Sequence, residues 1–60
     1  MRLGGIPTTD LRLTIERFDA FRAQHPEADD DMSEATFRSG EWQLVATIAQ
    51  IRKELTIREN

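Results

Sequence analysis

The feature that most constrains this chain is that its 60 residues include no cysteine. A domain this small hides only about 60% of the surface its unfolded form exposes. Natural chains of this size add a disulfide, a metal or a partner to compensate. Without thiols, disulfides and thiolate metal sites are excluded, and nothing calls for an oxidising compartment. The one histidine, His25, cannot build a zinc site without several carboxylates beside it. Association with another chain is the source of stability that remains, so the sequence predicts a homo-oligomer, with a dimer favoured.

Hydropathy sets the expected elements. Gly4, Gly5 and Pro7 mark residues 1–8 as a loose arm. Thr8, Thr9 and Asp10 offer successive helix caps. Leu11, Ile15 and Phe18, flanked by Thr14 and Phe21, then share one helical face, with Arg12, Glu16, Arg17 and Asp19 opposite. Leu13 falls off this stripe and is expected to be partly exposed or to touch another chain. Pro26 disfavours helix at His25, so the spacing predicts a helix over 9–24 and a polar, acidic loop over 25–31.

The second half reads as another helix. Asp31 and Glu34 have capping-box spacing, and Ser39 is a later cap candidate. Phe37, Leu44 and Ile51 recur every seven residues, with Ile48 and Leu55 interleaved. This phase predicts one helix over 32–58 that tolerates Gly40 or breaks near 39–40; glycine inside a helix costs up to about 1 kcal/mol relative to alanine. The expected fold class is therefore all-α: a single domain formed by a two-helix antiparallel hairpin that assembles into a dimeric four-helix bundle. Its expected core is Leu11, Ile15, Phe18, Phe21, Phe37, Leu44, Ile48, Ile51 and Leu55.

On such a second helix, Trp42, Val45 and Ala49 form an additional apolar stripe that one partner helix cannot cover. With Leu13 they are the expected self-association or partner interface; tryptophan is among the residues most enriched at binding hot spots. The competing reading folds Trp42 back onto Leu3, Ile6 or Pro7.

Charge adds a second asymmetry. The formal net charge is −3, and residues 26–41 hold six acids against Arg38 alone, while both flanks are mildly basic. Asp29, Asp30, Asp31 and Glu34 are expected electrostatic contacts for a basic partner or another copy. The aspartate run lacks the alternating ligands, turn glycine and terminal glutamate of a calcium loop, so no metal site is expected. His25 reads as a residue at a helix C-terminus, with a pH switch the sharper alternative.

No glycine-rich phosphate loop, metalloprotease pattern or nucleophile elbow is present, and Ser33, Ser39 and His25 have no hydrolase spacing. An enzyme and a bound cofactor are not expected, and a hairpin of this size offers little concave surface. The longest apolar run falls far short of the roughly 18 residues a bilayer needs, and the N-terminus lacks a signal-peptide core, so the expected location is cytoplasmic. The predicted function is a small acidic protein–protein interaction module that self-associates and binds or inhibits a partner protein. By analogy of size and charge it is a regulator or phage-type accessory protein. The alternatives are a small dimeric nucleic-acid-binding regulator, which the acidic charge disfavours, and a structural assembly subunit.

Overall fold

A computed structural model of the chain describes residues 3–59. It corrects the all-α helical hairpin and the four-helix bundle built from it: the fold is mixed α and β. A short 3₁₀ turn at Leu3–Gly5 leads into helix α1, Thr8–Gln24, followed by strands β1, Glu34–Ser39, and β2, Trp42–Thr47, and helix α2, Ile48–Glu59.

α1 enters through Pro7, whose carbonyl accepts from the amides of Asp10 and Leu11. Thr8, Thr9 and Asp10 thus lie inside the helix rather than capping it. The helix closes where Pro26 demands: the His25 amide donates to the carbonyls of Arg22 and Phe21.

The expected helix over 32–58 is replaced by a β-hairpin and a shorter helix. β1 and β2 pair antiparallel in register Glu34↔Thr47 to Ser39↔Trp42, leaving Gly40 and Glu41 as a two-residue turn. Gly40 has φ +62°, and Glu41 is not in the positive-φ region, the pattern of a type II′ turn with glycine first. Neither Asp31–Glu34 nor Ser39 starts a helix; Glu34 opens β1 and Ser39 ends it. The seven-residue spacing of Phe37 and Leu44 belongs to the hairpin, where the two are direct cross-strand partners. Strand alternation was written in Glu34-Ala35-Thr36-Phe37-Arg38: Ala35 and Phe37 pack against the core while Glu34, Thr36 and Arg38 are exposed.

α2 starts with a reciprocal capping box. The Gln50 amide donates to Thr47 Oγ1 (3.2 Å), and the Thr47 amide donates to Gln50 Oε1 (2.9 Å). The loop before β1 also feeds this end, through Ala49 N–H to the Asp30 carbonyl and Ile48 N–H to the Ser33 carbonyl. Ion pairs between Arg12 and Glu59 and between Arg52 and Asp19 set α1 and α2 antiparallel.

The core is Ile6, Leu11, Phe18, Ala46, Ile48, Ile51 and Leu55, with Ile15, Phe37 and Leu44 partly buried against it. Phe21, expected inside, is 52% exposed and stacks on His25 at 4.3 Å. It stands level with the first turn of α2, beyond which the chain leaves for the hairpin and cannot cover it.

Residues 3–8 also depart from a loose arm. Arg58 Nη1 donates to the Ile6 carbonyl (2.7 Å) and Thr8 Oγ1 (3.0 Å), and Nη2 donates to the Leu3 carbonyl (2.8 Å). Glu54 holds the same guanidinium at 2.8 Å. Met1 and Arg2, the rest of that arm, lie outside the described residues. Among the described residues, no helix is long and apolar enough to cross a membrane.

Candidate functional surface

Because 42–47 is a strand, Trp42 and Val45 point to opposite faces of the sheet, so the expected stripe of Trp42, Val45 and Ala49 does not form. Trp42 shares the parity of Leu44 and Ala46, which contact the core, but it sits at the hairpin tip and is 70% exposed. Val45, on the outer face, is 48% exposed, while Ala49 is half-buried in the first turn of α2. Folding of Trp42 onto the arm is not what the structure shows: Ile6 is buried in the core and Leu3 packs against it, well served without the indole.

Two open grooves flank the hairpin, contrary to the expectation of little concave surface. One, about 570 Å³, runs along β2 between Leu3, Leu44, Val45, Lys53 and Ile57. The other, about 410 Å³, runs along β1 between Pro7, Leu13, Arg17, Phe37 and Arg38. Leu13, the odd residue of α1, is 46% exposed at this second groove.

One acid of the loop, Asp30, is turned inward, while Glu27, Asp29 and Asp31 are exposed. Asp30 Oδ2 accepts from Arg52 Nε at 2.6 Å, and Arg52 Nη2 reaches Asp19 at 2.7 Å. These hydrogen bonds, that of Asp19 first, hold the Arg52 guanidinium above its ordinary pKa. Its carbon lies 6.0 Å from the Phe18 ring centre, at the limit of cation–π attraction. Asp30 Oδ1 is buried without a hydrogen bond; Arg22 approaches it at 3.7 Å, near enough to attract and too far to donate. Asp29 Oδ1 accepts from the Asp31 amide at 2.7 Å, an Asx turn. Of the four expected electrostatic contacts, Asp30 therefore ties the loop to α2, Asp29 shapes the loop, and Asp31 and Glu34 remain exposed. Glu34 lies on the hairpin, away from the loop it was grouped with. His25 Nδ1 stands 3.4 Å from Glu27 at the end of α1. Among the described residues, no group of three or more His, Asp or Glu converges as a metal site would.

Sequence reasoning passed over Arg52 and Arg58, which read as surface charge and instead join distant segments. It also passed over Thr47-Ile48-Ala49-Gln50, whose capping-box spacing marks the true start of α2. Comparison of the chain with known protein families, with curated proteins and with solved structures gives no match in any of the three.

Proposed function

We propose that this protein is a small acidic interaction module that self-associates and binds a partner protein in the cytosol. The observation that carries the reading is the unfinished hairpin: Trp42 and Val45 are exposed on a two-stranded sheet. A two-stranded sheet is marginal on its own, and Trp42 and Val45 leave an apolar side chain exposed on each of its faces. Trp42 supplies the large, rigid anchor that binding hot spots favour. The basic residues support protein over nucleic acid as the partner. Arg12, Arg22, Arg52 and Arg58 all stand within ion-pairing distance of carboxylates of the same chain, which leaves less basic surface for phosphates.

Light scattering across a wide concentration range, joined to affinity capture with wild-type and Trp42→Ala bait, tests this reading. The expected result is a mass that rises with concentration and a specific partner that wild-type retains and Trp42→Ala loses. A monomer at every concentration, with nothing captured that depends on Trp42, overturns it.

A further inference from the structure

We propose that the exposed edge of β1 is the self-association seam, and that two copies join it antiparallel about a twofold axis through Thr36. The result is a four-stranded sheet in the order β2, β1, β1 and β2, the inner two strands coming from different copies. This rests on the self-association reading above and gives it a surface and a register.

The phase of the hairpin identifies which backbone groups are free. In an antiparallel pair, residues that exchange hydrogen bonds alternate with residues that turn their N–H and C=O outward. Ile48 N–H donates to the Ser33 carbonyl at 2.9 Å. These two residues continue the Glu34↔Thr47 register by one step, so theirs is a bonded pair. Counting on, Ala35–Ala46, Phe37–Leu44 and Ser39–Trp42 are bonded pairs as well, as a two-residue turn requires. Glu34, Thr36 and Arg38 therefore aim their backbone donors and acceptors away from β2, along an edge that pairs with no other strand among the described residues.

That edge is self-complementary. With Thr36 opposite Thr36 of the second copy, Glu34 of each copy falls opposite Arg38 of the other. Both side chains are exposed, and among the described residues neither forms an ion pair within its own chain. Opposite charges directly across a ladder attract and like charges repel. On the inner face the same register places Ala35 opposite the second copy's Phe37, large against small. The groove that holds the exposed Leu13 runs along this same edge, so the copies approach each other beside a cleft of mixed lining, Leu13 and Phe37 together with Asp10 and Arg17. β2 offers no such match: its outward residues Gln43, Val45 and Thr47 carry no charge to fix a register.

The test is a charge swap read by analytical ultracentrifugation, with circular dichroism confirming the fold. Glu34→Lys and Arg38→Glu each turn both cross-copy attractions into repulsions, so each alone weakens the dimer by at least about tenfold. Mixing these two single variants restores complementarity and gives a heterodimer of wild-type strength, as does the homodimer of the Glu34→Lys, Arg38→Glu double variant. Thr36→Pro removes the outward N–H at the axis without touching a hairpin hydrogen bond, and gives a folded monomer. If wild-type associates and neither the charge variants nor Thr36→Pro changes its mass, the β1 seam is wrong while self-association through another surface stands. If wild-type is a monomer throughout, the seam and the self-association reading fall together.

Discussion

The helical pair and the hairpin were built to different degrees of completion. Where α1 meets α2, Leu11 and Ile51 have no exposed surface, and Arg52 and Arg58 bind the helices to the loop and the N-terminal segment. Away from the helices, the hairpin has Phe37 and Leu44 only partly covered, its tip tryptophan in solvent and, among the described residues, its β1 edge unpaired. The contrast teaches that a chain of this size completes one core and leaves the layer beside it only partly covered. The helical pair holds the most enclosed residues, and the hairpin carries the surface we propose for binding.

Substitutions in each region break or sharpen that division. The largest effect is expected from Ile51→Ala, which empties a fully enclosed site. A loss of about 3 kcal/mol leaves little of the stability of so small a domain, and urea unfolding followed by circular dichroism measures it. Arg58→Met keeps the aliphatic stem but removes the donors that hold Leu3, Ile6 and Thr8. A loss of about 2 kcal/mol is expected, because hydrogen bonds made by a charged group are the stronger kind. Rapid amide exchange and proteolytic cutting near Gly4 and Gly5 would accompany it.

Gly40→Ala forces a side chain onto a residue at φ +62° where the new carbon meets nothing within 4 Å. Its cost is backbone strain alone, about 1 kcal/mol, and falls on the hairpin: amides of β1 and β2 should lose exchange protection before those of α1. Gln50→Ala removes one half of the capping box and is expected to cost somewhat under 1 kcal/mol, seen as a small drop in urea midpoint. Trp42→Ala comes last, with a change within about 0.5 kcal/mol, as for exposed sites away from special features. A large destabilisation by Trp42→Ala would show that the tip belongs to the core and would erase the division between the two regions.

Legibility followed the same line. The end of α1 was readable because Pro26 acts on its own neighbours, and so was the face of Leu11, Ile15 and Phe18, which a single helix presents whatever else the chain does. Phe37 and Leu44 misled because a spacing of seven fits both a heptad and a pair of opposed strand residues. The turn glycine and the alternation before it were the cues for the second choice. The Trp42, Val45 and Ala49 stripe depends on a helix that does not form, whereas the departure of Leu13 from its stripe depends on α1 alone, and Leu13 lies exposed at a groove. The β1 edge was out of reach, since which strand side is free depends on hydrogen-bond phase across the hairpin.

The sequence alone determined that no disulfide staples this chain, that its first helix ends before Pro26, and that one face of that helix is apolar. Only the tertiary structure decided that residues 34–47 are strands, that Arg58 fastens the N-terminal segment, and that Asp30 points inward to Arg52. The first group depends on chemistry and on backbone preferences acting over a turn or less. The second depends on contacts between residues far apart in the chain, Arg58 with Leu3 and Asp30 with Arg52, whose partners are chosen only when the elements pack.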